Sequence, residues 1–88
     1  MSSPYRVLIS ARAERDLLRL PEKIGGACLE FIFGPLAENP QRLGGELRGP
    51  LTGLRSARRG SYRVIYRIDD DQTRIEVVHI DHRSNVYR

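Results

Sequence analysis

The sequence predicts a compact α+β fold in which a hairpin of two helices packs on a mainly antiparallel sheet of four strands. Three observations predict it: apolar residues recur at helical spacing in the first half of the chain, they alternate at strand spacing in the second half, and the links between segments are short. The predicted order of elements is βααβββ. With 88 residues, we expect one domain, residues 1–88, since typical domains span about 100 to 200 residues.

The first half of the chain predicts one strand and two helices. The strand is expected at residues 5–9, and Ser10 follows as the N-cap of a helix that ends near Pro21. One face of this helix carries Ala13, Leu17 and Leu20, and another carries Arg12, Arg15 and Arg19. The second helix begins at Pro21, and its apolar stripe consists of Ile24, Cys28, Phe31, Ile32 and Leu36. The short link folds the helices into a hairpin, whose apolar faces need a sheet to cover them.

The second half of the chain predicts a loop and three strands. Residues 39–53 are rich in Gly and Pro and are expected to form a connecting loop with a brief strand at 46–48. Strands follow at 54–59, 62–68 and 74–80, and their short links make neighbours antiparallel. In the second of these, the face that suits the helices carries Tyr62, Val64, Tyr66 and Ile68. In the third, His79 alternates with Ile75 and Val77, so we expect it on their face, partly buried and hydrogen-bonded.

The composition excludes several classes of protein. The chain is too short for a two-domain enzyme with a cofactor cleft, and its interspersed charges leave no apolar run long enough to span a membrane. We expect no secretory signal, because no basic region followed by an apolar run and a small-residue cleavage site follows Met1. A single cysteine, Cys28, forms no disulfide within the chain, which favours a cytoplasmic protein stabilised by packing. Cys28 lies on an apolar helix face and is expected to act as a small hydrophobe.

The charge of the chain favours an anionic partner. Fifteen basic residues against eleven acidic ones give a net charge of +4, and Lys23 is the only lysine. Arginine binds phosphate through a bidentate fork but is a poor general base, because it holds its proton. The charge alone does not distinguish nucleic acid from an acidic protein partner.

The densest charge lies in one loop and two adjacent strands, as Arg48, Arg55, Arg58, Arg59, Arg63 and Arg67. Arg63 and Arg67 share a face of their strand. Pairing with the preceding strand brings either Arg55 with Arg59, or Arg58 with Ser56, beside them, since a bulge at Gly60 would change the register. Like charges side by side cost stability unless an anion neutralises them, so this cluster predicts a binding surface.

Other candidate residues lie near the end of the chain. In residues 82–88 a tyrosine stands between arginines, which suits base stacking and phosphate binding, although many chain ends only fray. His79, Asp81 and His82 lack a fourth ligand and would face both sides of a strand, so we expect no metal. His82, expected near the basic face, is kept as a candidate acid or base. No glycine-rich phosphate loop is present, and no cofactor is expected.

Two motifs carry a family resemblance. R-R-G-S-Y-R-V-I-Y-R at residues 58–67 and H-R-S-N-V-Y-R at 82–88 resemble the motifs of RelE toxins in the RelE/ParE superfamily. The opening Y-R-V-L-I-S-A-R-A-E-R-D-L-L-R-L-P is similar to the first strand and helix of that family, so the resemblance runs over nearly the whole chain.

This resemblance implies the toxin of a type II toxin-antitoxin system, which enters the ribosomal A site and cuts mRNA. The implied reaction is attack of a ribose 2′-OH on the adjacent phosphate, without metal or cofactor, and it inhibits translation. By the same resemblance, Arg63 corresponds to the arginine that stabilises the transition state, Tyr87 to the tyrosine that orients the base, and Arg83 to the arginine that helps the leaving group.

The resemblance also implies roles for the remaining arginines. Arg58 matches a basic position on the preceding strand and is assigned with the catalytic group. Arg48, Arg55, Arg59 and Arg67 are assigned to RNA phosphates. Relatives carry lysines on that strand, one of them suggested as the base, whereas this chain has Leu54 and Ser56 there. The general base is therefore open: either Arg55 takes that space through a shifted register, or the RNA of the ribosome acts together with Tyr87 or His82.

The implied partners are a cognate antitoxin, the ribosome with its mRNA, and operator DNA through the toxin-antitoxin complex only; no membrane is expected. The antitoxin would cover the basic face and part of the helix hairpin. Two alternatives stay open. One is a ParE-type toxin that poisons DNA gyrase without catalysis, and the other is a degenerate nuclease that retains only autoregulation with its antitoxin.

Overall fold

Five strands form one mixed sheet in the computed structural model, which describes residues 4–82. The strands are β1 (Arg6–Ile9), β2 (Gly45–Glu46), β3 (Arg55–Arg59), β4 (Tyr62–Asp69) and β5 (Arg74–His82). Their order is β1-β5-β4-β3-β2, with β1 parallel to β5 and all other neighbours antiparallel. The predicted α+β architecture is confirmed, but the sheet has five strands rather than four. The additional strand, β2, is only two residues long and begins one residue before the predicted brief strand.

The helices are α1 (Ala11–Arg19), α2 (Glu22–Phe31) and the short α3 (Pro40–Leu43). The Ser10 side chain caps α1 as predicted: its Oγ accepts a hydrogen bond from the Ala13 N–H at 3.0 Å and donates to the Val78 carbonyl at 3.1 Å. This one side chain therefore both starts the helix and ties it to β5. Within residues 4–82, no helix is long and apolar enough to cross a membrane.

A π-helical turn, Ile32–Leu36, continues α2. It contains Pro35, which has no backbone N–H and whose ring would collide with the carbonyl four residues earlier in a regular α-helix. Widening of the helix relieves that collision. The apolar stripe predicted for the second helix therefore continues through Ile32 and Leu36, both fully buried.

The core lies between the helices and one face of the sheet, which we call the helix face. From the sheet it takes Val64 and Tyr66 of β4 and Ile75, Val77 and Ile80 of β5; from the helices it takes Ala13, Leu20, Cys28, Phe31, Ile32 and Leu36. The Phe31 and Tyr62 rings meet edge to face with centroids 6.4 Å apart. The opposite side, which the helices do not cover, is called the open face.

A β-bulge in β5 changes which side chains reach each face. Ile65 pairs with His79 whereas Tyr66 pairs with Val77, which leaves Val78 as the extra residue. The alternation of β5 reverses there, so His79 lies on the open face. The prediction that it shares a face with Ile75 and Val77 is wrong for this reason, although His79 is partly buried and hydrogen-bonded as expected.

Candidate nucleic-acid interface

The register of β3 against β4 decides which arginines lie together. Arg58 pairs with Arg63, and Arg59 pairs with Tyr62 across a two-residue turn in which Gly60 adopts φ 60°. No bulge interrupts this ladder. Arg58 therefore lies on the open face with Arg63 and Arg67, while Arg55 and Arg59 belong to the helix face. We call the set Arg58, Arg63 and Arg67 the arginine face.

The three members of the arginine face differ in their ion pairs. Arg67 is paired with Glu76, with its Nε 3.3 Å from the carboxylate. Arg58 and Arg63 stand directly opposite each other, and neither has an ion pair or a side-chain hydrogen bond within residues 4–82. Like charges in opposed positions destabilise a sheet. This pair therefore offers two guanidinium groups, with ten N–H donors between them, to an anion above the open face.

Arg55 is engaged by the fold itself. Its Nη2 donates to the carbonyls of Gln41 and Gly44 at 2.8 and 2.7 Å, and its Nη1 reaches Glu46 at 3.5 Å. Only 17% of the side chain is exposed, and its Nε is buried without a partner among the described residues. Arg55, assigned from the sequence to RNA phosphate, thus holds the segment that links α3 to β2.

Arg59 and Arg48 lie away from the arginine face. The Arg59 guanidinium sits over the Phe31 ring, 4.8 Å from its centroid, at the edge of the helix face. Arg48 is exposed in the loop between β2 and a 3₁₀ turn at Gly49–Leu51. Because β2 pairs only with the first two residues of β3, Arg48 is separated from Arg58 by most of that strand.

The residues predicted near the chain end divide in two groups. Arg83 and Tyr87 lie outside the described residues. His82 pairs with Tyr62 and is only 8% exposed, with its Nε2 3.1 Å from Ser61 Oγ. The bulge at Val78 turns this side chain to the helix face. The expected position of His82 near the basic face is therefore wrong.

Burial raises the pKa of three titratable groups on the helix face. Burial raises the pKa of the Cys28 thiol to about 11, so the thiol stays protonated at neutral pH. Its predicted role as a small hydrophobe is confirmed. Burial also raises the pKa values of Tyr62 and Tyr66. Within residues 4–82, no cluster of three or more His, Cys, Asp or Glu could hold a metal ion.

A hydrogen-bonded network beside β5 is not predicted by the sequence. Asp16 Oδ2 lies 2.7 Å from His79 Nδ1 and accepts a hydrogen bond from the Ile80 N–H at 3.0 Å, so α1 covers the edge of β5 beyond the last residue of β1. His79 Nε2 lies 2.7 Å from Asp81, which is the cross-strand neighbour of Arg63. No sequence pattern predicts this network, because its geometry depends on the bulge at Val78.

Comparison with known proteins places this geometry in a family. A family model described as the ParE toxin of type II toxin-antitoxin system, parDE, matches residues 7–87. The Toxin RelE of Mycobacterium tuberculosis is 62% identical over 85 residues, which cover 97% of this chain and 88% of that protein. The Toxin RelG of the same organism is 48% identical and covers 97% of this chain and 98% of that protein.

A solved structure agrees with both sequence matches. A chain in the crystal structure of the toxin-antitoxin complex RelBE2 from Mycobacterium tuberculosis superposes with a TM-score of 0.92 at 46% identity. The match covers 96% of this chain and 97% of the other. The similarity therefore extends over the whole sheet and both long helices.

Proposed function

The chain belongs to the RelE/ParE superfamily of toxins from type II toxin-antitoxin systems, and from this membership we propose that it is an mRNA interferase. In this proposal the toxin enters the A site of the ribosome in the cytoplasm and cuts the translated mRNA, which stops translation. The relatives named RelE and RelG support the nuclease branch of the superfamily.

The observation that carries the proposal is the pair Arg58 and Arg63, opposed on the open face without an ion pair in residues 4–82. A phosphodiester gains a second negative charge as it becomes a pentacoordinate phosphorane. Guanidinium groups fixed on rigid strands stabilise that charge without reorganisation during the reaction. Two arginines opposed on neighbouring strands suit this task, and β3 and β4 hold their backbones in place.

The proposed reaction is an internal transfer. The ribose 2′ oxygen forms a bond to the adjacent phosphorus and loses its proton, while the bond from phosphorus to the 5′ oxygen breaks and that oxygen gains a proton. The products are a 2′,3′-cyclic phosphate and a free 5′-OH. We assign charge stabilisation to Arg63 with Arg58, help to the leaving oxygen through its positive charge to Arg83, and orientation of the base to Tyr87.

The proton acceptor is the step on which this chain departs from its relatives. No lysine stands on β3, and Ser56 occupies the open face beside the arginines. Arg55 holds two carbonyls and His82 lies on the helix face, so both are poorly placed as bases. Of the alternatives open from the sequence, we therefore favour ribosomal RNA acting with Tyr87.

We also propose that a cognate antitoxin neutralises the toxin. Support comes from the RelBE2 relative, whose structure is that of a toxin-antitoxin complex. The helix layer exposes Leu18 at 84% and Phe33 at 57%, and large exposed apolar side chains are typical of surfaces that a partner covers. Operator DNA would be contacted through the toxin-antitoxin complex.

A second candidate function is poisoning of DNA gyrase without catalysis. The matching family model, described as a ParE toxin, favours it. Under this alternative, the arginine face would have no chemical role, and its unpaired charges would only lower stability. The two functions leave different products. An mRNA interferase leaves cut messages and a gyrase poison leaves trapped DNA breaks, so one experiment distinguishes them.

The experiment is induction of the toxin gene alone, followed by primer extension on abundant messages and an assay for gyrase-linearised DNA. We expect discrete cuts in translated messages, and Arg63→Ala should abolish them and restore growth. Arg74→Ala is the matched control, because Arg74 lies on the neighbouring strand in an ion pair with Asp69. Intact messages with trapped DNA breaks would establish the gyrase alternative, and cuts that survive Arg63→Ala would remove the assigned role of that arginine.

A further inference from the structure

A second group of arginines lies on α1. Arg12, Arg15 and Arg19 are all exposed, and none has an ion pair or a side-chain hydrogen bond within residues 4–82. Their spacing of three and four residues places them along one side of the helix. We call these three residues the helix stripe.

Two members of the helix stripe are unfavourable for the helix, although Arg19 lies in the last turn, where the helix dipole favours a positive charge. Arg12 is in the first turn, where the helix dipole disfavours a positive charge. Arg15 and Arg19 are four residues apart, a spacing at which like charges repel. Asp16, which has the right spacing to pair with Arg12, instead binds His79 and the Ile80 N–H. No contact in the described part of the chain compensates these costs, which points to a ligand.

The helix stripe adjoins the arginine face. A surface cavity of about 490 Å³ lies between α1 and the edge of β5, and it is lined by Arg12, Arg15, Asp16, Arg19, His79, Ile80 and Asp81. Asp81 is the cross-strand neighbour of Arg63. The bulge at Val78 brings His79 and Asp81 to this side of the sheet. One continuous surface therefore runs from the Arg58–Arg63 pair, over the edge of β5, to the helix stripe.

The carboxylates in this cavity do not cancel the arginines. Asp16 and Asp81 each lie 2.7 Å from a nitrogen of the same imidazole, that of His79. Asp16 is also only 14% exposed and accepts the Ile80 N–H. Both acidic groups are engaged within the protein, whereas the three guanidinium groups face solvent.

We propose that the helix stripe binds the sugar-phosphate backbone of RNA next to the segment held by the arginine face. This inference rests on the proposed function, since it extends the path of the same substrate. Arginine forks match phosphate oxygens, and three exposed arginines along one helix provide a row of such forks. The stripe neutralises successive phosphates and reads no sequence.

The test measures how RNA binding depends on salt. The probe is a fluorescent single-stranded 2′-O-methyl RNA, which the toxin cannot cut because it has no free 2′-OH, and binding is followed by anisotropy over a range of salt concentrations. Arg12→Gln/Arg15→Gln is compared with the matched control Lys23→Gln/Arg42→Gln, which removes the same charge from exposed positions of α2 and α3. Each lost contact to a single strand should reduce the slope of log affinity against log salt by about 0.7.

We expect the stripe variant to lose about 1.4 from that slope and the control to keep the slope of the unmodified protein. The stripe variant should melt slightly above the unmodified chain, because it loses a positive charge from the first turn and a like-charge repulsion within α1, and the control should melt no lower than the unmodified chain. Equal slopes for the stripe variant and the control would overturn the inference and leave the proposed function intact. Absence of salt-dependent RNA binding by the unmodified chain would also overturn the inference, whereas the proposed function is tested separately by the cuts in translated messages. A stripe variant with normal RNA binding but weaker antitoxin binding would assign the stripe to protein contact and also overturn the inference.

Discussion

Three arginines on two neighbouring strands of this protein have three different environments. Arg55 is enclosed on the helix face and binds two carbonyls, Arg67 is neutralised by Glu76, and Arg63 is unpaired within residues 4–82. Composition gives all three the same charge. Strand register and the neighbouring groups determine which of them is available to a ligand.

Cys28 gives a prediction about pH. Burial raises its pKa from 9.0 to about 11, so at pH values in that interval the unfolded chain loses the thiol proton first. Deprotonation then favours the unfolded state, and this contribution to stability, complete below pH 9, is lost as the pH rises through 11. We expect the loss to be on the order of 2 kcal/mol. Urea unfolding at several pH values measures it.

Cys28→Ala is the comparison that removes this effect, together with the smaller contribution that the Cys28 charge makes to the raised pKa of Tyr62. It removes the thiol but keeps Tyr62 and Tyr66, whose raised pKa values add their own dependence at higher pH. The free energy difference between the two proteins should be constant below pH 9 and should shrink above it. Parallel profiles up to pH 11 would contradict the assignment.

At the scale of elements, the segment from α3 to β2 is held by one clamp. The Tyr66 hydroxyl donates to the Pro40 carbonyl at 2.6 Å, and Arg55 binds the carbonyls of Gln41 and Gly44. A Cβ at Gly44 would overlap the Tyr66 hydroxyl. Glycine is therefore required at this position by close approach of a side chain.

Gly44→Ala should destabilise the protein by about 1–3 kcal/mol, because the tyrosine must move and its hydrogen bond to Pro40 weakens. The midpoint of urea unfolding measures this change. Gly45→Ala is the control, since nothing lies within 4 Å of a Cβ at that neighbouring position. Equal midpoints for the two variants would show that the clamp is not needed for stability.

The sequence predicted the elements with strong periodicity and missed those set by single contacts. The stripe that includes Cys28 and Leu36 and the alternation of Tyr62 with Arg63 span enough residues to define a face. The two-residue β2 has no such pattern, and the bulge at Val78 is one extra residue in an otherwise regular strand. The faces of His79 and His82 were mispredicted because of that bulge. The sequence could not predict that Arg55 holds the segment from α3 to β2, because its hydrogen bonds go to backbone carbonyls distant in sequence.

At the scale of the whole molecule, the proposed RNA surface runs from the arginine face to the helix stripe of α1. A different part of the helix layer, on α2 and the π-helical turn, exposes Leu29 and Phe33. These two apolar residues are four apart in the continuous helix formed by α2 and the π-helical turn, so they lie on one side of it. We expect the exposed pair Leu29 and Phe33 to bind the antitoxin and to take no part in RNA cleavage.

Phe33→Ser should therefore weaken antitoxin binding about tenfold, equivalent to about 1.4 kcal/mol, because an exposed aromatic ring is a typical anchor of an interface. Titration of the toxin with its antitoxin measures the affinity, and primer extension shows whether cleavage is unchanged. Leu51→Ser is the matched control, since Leu51 is similarly exposed, 50% against 57% for Phe33, but lies in the 3₁₀ turn beyond β2. If Phe33→Ser abolished cleavage while antitoxin binding stayed normal, Phe33 would belong to the RNA surface and its assignment to the antitoxin would be wrong. Equal loss of affinity in both variants would mean that the antitoxin covers more of the molecule than the helix layer.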